Sequence, residues 1–406
     1  MNPNEILSLD RQAVQSVDRF PHKRFSVRTA DESHGRPFVA VIGPRGVGKT
    51  VLLRQLRKKY ESALYISADT LTIGDSLKNT IRFFGDQYGI EQFFIDEIHF
   101  VSNYSAELKE LYDFTHYRIW FSSSVALSLH SSSWDLSRRV RVVKMLPFSF
   151  REYLFFRYEV DVPKLNIEDA LLRRFDPVYL RQNAYFEEYL KGGLYPFLLE
   201  PGADLEQFGN ITEKIVNDDI PNADNKKSTE DIMVIQKLMQ FLGKAPLDGI
   251  NYSSVSKNLG ITKYKAEKFL AVLEKSFLIK RIFPKGTNVL KEPKILMELP
   301  YRLLFRPYTE CIGELREDFF AEAMEQHGID FTYAKTTRGK KTPDYVINFK
   351  NKTLVVEIGG KGKGRTQFKE VDYDTKIVLY HSSVESSTGR RPKPGLSVPL
   401  HCIGFA

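Results

Sequence analysis

The chain has 406 residues, 42 % hydrophobic and 27 % charged, a globular composition with room for two or three domains. No apolar run reaches transmembrane length, and the N-terminal stretch lacks the basic and apolar regions of a signal peptide, so a cytoplasmic protein without a membrane partner is expected. Its two cysteines, Cys311 and Cys402, are too few for a disulfide framework or a zinc site, and a net charge of +8 leans only weakly toward a polyanionic partner.

FVAVI (38–42) is apolar and β-branched without helical spacing, and reads as a buried parallel strand. Gly43, Pro44, Arg45, Gly46, Val47, Gly48, Lys49 and Thr50 follow directly and match G-x-x-x-x-G-K-[ST]. Val51 then opens a helix with Leu53 and Leu56 inward. Glycines let backbone N–H groups close around phosphate oxygens, and the helix N-terminus adds a positive dipole end. Lys49 is expected on the β- and γ-phosphates and Thr50 on Mg²⁺. A chance glycine-rich turn is the alternative, and the strand–loop–helix context argues against it.

LYIS (64–67) is a further short strand, and FFIDE (93–97) a strand ending in two acids. Asp96 is expected to hold magnesium through water, and Glu97 to polarise the attacking water. A strand between the phosphate loop and this acid pair suggests the additional-strand class of P-loop ATPases. RIWFSSS (118–124) ends in hydroxyls, and Ser122, Ser123 or Ser124 is a candidate γ-phosphate sensor, with an ordinary turn as the alternative. Arg138, Arg139 and Arg141 precede or enter the next apolar run. Arginine suits stabilisation of phosphoryl charge in cis or from a neighbouring subunit, and a basic surface loop is the plainer reading.

Ser149-Phe150-Arg151-Glu152 has the form of a capping box, which makes Ser149 a structural N-cap. Gly192-Gly193 ends a helix and Pro196 restarts the chain. Residues 146–228 read as a helical lid, closing on the polar linker 222–229. Residues 229–293 read as a winged helix, with Ile232, Ile235, Leu238 and Phe241 near helical spacing on the first helix, Gly260 at a turn and Thr262 capping the next. Lys263, Lys265 and Lys268 lie on the outer side, where they would meet DNA phosphates or simply face water.

Residues 294–406 place Glu322 on a helix, Asp344 at the start of a strand and Glu357 on the following strand. This resembles the PD-(D/E)XK nuclease arrangement, a possible second metal site with Gln367 downstream. The lysine expected two positions after the second acid is Gly359, with Lys361 and Lys363 nearby, so a fold without its chemistry is the competing reading. From Lys335 to Lys369 there are ten Lys or Arg and two acids.

The succession GPRGVGKT, FFIDEIHF, LPFSFREYL, YLKGGLYPFLL and IVNDDI resembles the archaeal-type ATPases of bacteria and archaea over nearly the whole chain. That resemblance implies an α/β P-loop NTPase of the AAA-like, additional-strand class (1–145), followed by the helical lid, the winged helix and a C-terminal α/β nuclease-like domain, catalogued as domain of unknown function 4143. It implies ATP and Mg²⁺ as cofactors, nucleotide contacts along Gly43–Val51, and Arg139 or Arg141 as the phosphate-sensing arginine. It also implies ATPase activity, with AAA-type sites often completed between subunits of a homo-oligomer. Three functions stand open: an ATP-driven enzyme acting on DNA, a nucleotide-dependent switch with a protein partner, and an ATP-gated metal-dependent nuclease.

Overall fold

The computed structural model describes residues 2–25, 37–71, 76–124, 136, 138–223, 229–247, 249–285, 292–334, 343–350, 352–359, 373–381 and 396–406. The chain forms two compact units: Met1–Pro147 with Ile211–Ser228, and Phe148–Asn210 with Thr229–Ala406. Of the span expected as a lid, residues 148–210 therefore group with the C-terminal half and residues 211–228 with the phosphate loop.

The first unit opens with helix α1 (Pro3–Ser16), started by the Asn2 side chain, which accepts a hydrogen bond from Asn4 N at 3.1 Å. Then come β1 (Phe38–Ile42), α2 (Lys49–Arg57), β2 (Ala63–Ser67), α3 (Leu77–Tyr88), β3 (Gln92–Asp96), α4 (Tyr104–Phe114), β4 (Arg118–Ser123) and β5 (Val140–Lys144). The sheet order is β2-β3-β4-β1-β5, and every pairing is parallel. The strand inserted between the one leading into the phosphate loop and the one ending in Asp96 is β4; β2, the strand (64–67) on which the sequence reading rested the additional-strand class, lies at the edge of the sheet instead. β1 to β4 are buried runs of Val, Ile, Phe, Tyr and Leu because helices cover a parallel sheet on both faces. β5 is an edge strand, and Arg141, Val142 and Lys144 on it are exposed, which blunts the edge against further pairing. Register sets Ile42 beside Ser123 and Ser67 beside Asp96. The carboxyl ends of four strands thus meet where ligands bind in open parallel sheets.

The second unit begins with α5 (Phe150–Tyr158). Ser149 Oγ accepts from Glu152 N at 3.1 Å, and the Glu152 carboxylate accepts from Ser149 N, completing the capping box the sequence predicts. A π turn over Tyr189–Gly193 contains Gly192 at φ 125°, a conformation that glycine alone takes without strain. Helix α6 (Leu205–Lys214) carries the boundary between the units. Three helices follow, α7 (Thr229–Lys244), α8 (Tyr252–Leu259) and α9 (Lys263–Lys275), then an antiparallel pair, β6 (Ile279–Ile282) and β7 (Lys294–Met297). Gly260 in the left-handed conformation ends α8, and Thr262 caps α9, as expected. Helix α10 (Tyr308–Gln326) precedes a five-stranded mixed sheet of β8 (Phe331–Tyr333), β9 (Tyr345–Phe349), β10 (Lys352–Gly359), β11 (Thr375–Tyr380) and β12 (Leu396–Pro399), ordered β12-β11-β10-β9-β8. Ahead of that sheet in the chain, the fully buried Arg302 and, on α10, Asp318 form an ion pair at 2.8 Å.

Candidate nucleotide site

The loop between β1 and α2 has the backbone its glycines allow. Gly46 and Gly48 sit at φ 83° and 93°, the left-handed region that L side chains rarely adopt. Gly43 has a different reason: a Cβ there would lie 2.0 Å from the Met145 carbonyl oxygen. Lys49 is buried and folds back onto the loop, its Nζ donating to the Gly43 and Pro44 carbonyls at 2.8 Å each. Burial pushes its pKa down, while Glu97 and Asp96 oppose that shift, so the ammonium lies within the field of both acids. Thr50 follows in the first turn of α2.

Arg24 straps the loop from a segment in which the sequence flagged nothing. Its guanidinium donates to the carbonyls of Val47 at 2.8 Å, Leu146 at 2.8 Å and Pro147 at 3.3 Å. Asp10 of α1 similarly ties Arg57 of α2, at 2.7 and 2.8 Å, to the backbone N–H of Tyr65 at 2.7 Å. Lone charged residues without a motif around them leave no mark in a sequence.

Asp96 is buried at the end of β3, held by Tyr65 Oη donating to its Oδ2 at 2.8 Å and by Ser122 Oγ donating to its Oδ1. Ser122 Oγ also accepts from Glu97 N at 2.9 Å. Glu97 itself sits at φ 50°, ψ 50°. A non-glycine residue in that region costs about 1–3 kcal/mol and is held there by its surroundings. The turn aims consecutive carboxylates in different directions. Several polar atoms around it are buried with no hydrogen-bond partner among the described residues: Glu97 Oε2, both ring nitrogens of His99, and Ser124 Oγ. His99 Nδ1 stands 3.4 Å from Glu97 Oε2, too long for a good hydrogen bond. Burial holds that imidazole below its usual pKa, hence neutral at neutral pH.

Native proteins seldom leave so many buried polar atoms unpaired unless a water, ion or ligand completes them. The cradle of loop N–H groups, one buried ammonium and two carboxylates suits a polyanion carried with a divalent cation. Of the three candidate hydroxyls, Ser122 is committed to Asp96 and Glu97, and Ser124 has its hydrogen-bonding capacity open.

Arg45 adds a group that sequence reading placed in the loop and left without a partner. Its Nε and Nη2 donate to Asp219 at 2.7 and 2.9 Å. Asp219 is 1 % exposed and lies on a π turn, Ile215–Asp219. The only sequence signal for it is the acid pair in IVNDDI.

The other expected residues fall elsewhere. Arg139 precedes β5, where its carbonyl accepts from Phe38 N, at the end of β1 opposite the phosphate loop. Four strand residues put it about 13 Å back along the sheet. Its guanidinium grips Asp113 of α4 at 2.9 and 2.8 Å. Arg141 pairs beside Val39 and faces out from the edge strand. Neither arginine is brought to its own chain's phosphate loop, because parallel pairing fixes them near the wrong ends of the strands.

In the second unit, Glu357 is buried on β10, and Asp344, one residue before β9, accepts from Ile358 N at 2.7 Å. These two acids are thus neighbours. Glu322 is turned toward β6, within 3.2 Å of Lys280 Nζ, which also meets Glu298 and Glu325 at 2.8 Å. Among the described residues no group of three metal-binding side chains forms, so the expected trio of Glu322, Asp344 and Glu357 is not assembled there. Lys361, Lys363 and Gln367 lie outside the described residues, as does most of the basic stretch. On α9, Lys265 pairs with Asp231 at 2.8 Å and Lys263 pairs with Glu292, so two of the three outward lysines are already partly neutralised.

Strand order, phosphate loop and acid pair together define an AAA-like P-loop domain. Residues 35–154 match the AAA domain family, and residues 183–298 match a domain of unknown function, DUF8612. An uncharacterised protein of Methanocaldococcus jannaschii is 28 % identical over 382 residues, covering 84 % of this chain and 79 % of that one. The structure of C. elegans PCH-2 overlaps 66 % of this chain and 68 % of its own, at 15 % identity and a TM-score of 0.24. No helix among the described residues is long and apolar enough to cross a membrane.

Proposed function

We propose that the first unit binds ATP with Mg²⁺ and hydrolyses it. The observation that carries this is the grouping of buried Lys49, Asp96 and Ser124 with part-buried Glu97 at the carboxyl ends of β1, β3 and β4, where Glu97 Oε2 and Ser124 Oγ are buried without a hydrogen-bond partner among the described residues. Bound magnesium nucleotide supplies the electrophilic phosphorus and neutralises charge on the phosphates. Lys49 exchanges its two loop carbonyls for phosphate oxygens. Thr50 and Asp96 hold the cation, with Tyr65 and Ser122 keeping the Asp96 carboxylate oriented. Glu97 takes the proton of the attacking water, and Ser124 contacts the terminal phosphate or that water.

For the partner, we propose DNA, on the net charge of +8 and the ten basic residues between Lys335 and Lys369. The helices α7–α9 with the β6–β7 pair are read as a winged helix, and the mixed sheet as a nuclease-like domain without assembled chemistry. A second reading, a nucleotide-dependent switch acting on a protein, is favoured by the ion pairs on Lys263 and Lys265, which leave α9 less charge for phosphates.

The test is ATP hydrolysis with and without double-stranded DNA, at low and high salt, for wild type and Lys49→Ala. A rate that needs Lys49, rises with DNA and loses that rise in salt supports the DNA-acting ATPase. A Lys49-dependent rate indifferent to DNA leaves the ATPase and removes DNA in favour of the switch. Hydrolysis that survives Lys49→Ala sinks the proposal.

A further inference from the structure

We infer that Arg45 is the arginine this chain itself brings to the terminal phosphate of its nucleotide, and that Asp219 is the positioning residue that holds it there. The inference rests on the P-loop reading above and deepens it.

A guanidinium offers five N–H donors in a planar fork. Asp219 takes the side of the fork, through Nε and Nη2 at 2.7 and 2.9 Å. The two N–H groups of Nη1 and the second one of Nη2 remain, and Nη1 donates no hydrogen bond among the described residues. An arginine gripped on one side in this way presents its other end to a second oxyanion, in the bidentate geometry that phosphates accept. The free end belongs to the nucleotide site. Arg45 lies within the phosphate loop itself, and the Glu97 carboxylate acts on both Arg45 and Lys49.

Asp219 is built for holding rather than for display. Its side chain is 1 % exposed against 17 % for Arg45, so the buried partner is the fixed one. It ends a π turn in which Ile215 and Val216 are also buried, and the next residue, Ile220, is buried too. Such turns are rare, carry a conformational cost and recur at functional sites. What sets Arg45 apart from the two other arginines is its place: Arg139 is held by Asp113 in the same side-on way but about 13 Å back along the sheet, and Arg141 points out from the edge. An arginine held in cis needs no neighbouring subunit to complete the charge that develops in phosphoryl transfer.

The experiment compares Mg²⁺-dependent binding of ADP and of the non-hydrolysable triphosphate AMP-PNP, with kcat and KM for ATP. It uses the full chain as wild type, Asp219→Asn, Arg45→Lys and the double variant. Asparagine keeps one acceptor and the shape but loses the charge, and lysine keeps the charge but loses the fork. Each single variant is expected to weaken AMP-PNP and lower kcat about ten- to a hundredfold, the worth of charge-assisted hydrogen bonds, with ADP affinity within about twofold. The double variant is expected to be no worse than the poorer single one. Equal losses of ADP and AMP-PNP would mean the pair merely shapes the loop, and additive losses or an unchanged kcat would equally overturn the inference. Should Asp219→Asn fail to fold, Arg45→Lys alone still reads the selectivity. Wild type binding neither nucleotide would instead refute the P-loop reading, and the inference with it.

Discussion

Two serines separated by one residue on the same strand end should respond in opposite ways to the same truncation. Ser122 is fully buried, donates to the Asp96 carboxylate and accepts from Glu97 N at 2.9 Å. Ser122→Ala removes a charge-assisted hydrogen bond of about 1.5–3 kcal/mol and orphans an N–H at a further 1–3 kcal/mol or so, the second discounted because Glu97 N is only part-buried. The sum is roughly 2–5 kcal/mol, which for a unit of this size lowers its midpoint by about 5–15 °C. Ser124 Oγ is buried with no partner among the described residues, so Ser124→Ala removes a hydroxyl whose desolvation was uncompensated. Its stability should be unchanged or slightly raised. Turnover is expected to fall in both variants, in Ser122→Ala because Glu97 and Asp96 lose their orientation, and in Ser124→Ala because a contact to the phosphate or water is gone. The second unit contains no tryptophan, so urea titration followed by tryptophan fluorescence reads the first unit alone. Equal destabilisation by the two substitutions would show that Ser124 has a protein partner, and the argument for it as a phosphate contact would collapse.

In the second unit, Asp318→Asn should cost about 3–5 kcal/mol, because it leaves the fully buried Arg302 charge half-compensated while Arg302 still donates to the Leu242 carbonyl. Circular dichroism in urea measures this, and a loss below about 1 kcal/mol would mean that water reaches the pair. His327 lies with Nε2 2.9 Å from the Ile403 carbonyl, and burial lowers its pKa to about 4. The unfolded chain therefore binds a proton first as pH falls, so the stability from keeping His327 neutral is whole above about pH 6.5. It is lost toward pH 4 at about 1.4 kcal/mol per unit. His327→Gln should flatten that slope by this share, and an identical slope in both proteins would exclude His327 as its source.

The phosphate loop and the acid pair at the end of β3 were legible because each is a local pattern whose chemistry needs adjacent residues. The Ser149 box and the Gly260 and Thr262 caps were legible for the same reason, since a helix end is satisfied within one turn of chain. Other features came from tertiary structure alone. Asp219 reaches Arg45 from 174 positions away, and nothing in either local sequence marks the partner. Ser122 could not be told from Ser123 and Ser124 until β4 was set beside β3, because side chains on a strand alternate faces and only register decides which one meets Asp96. Arg139 looked suited to phosphate by residue type, and parallel pairing with β1 placed it at the far end of the sheet. Glu322 looked suited to a metal by its order along the chain, and the face of α10 it occupies turns it to Lys280 instead. The sequence by itself determined which chemical groups stand next to one another along the backbone. The fold decided which of the remaining charged groups meet, because a buried charge is settled by whichever partner packing brings within hydrogen-bond reach.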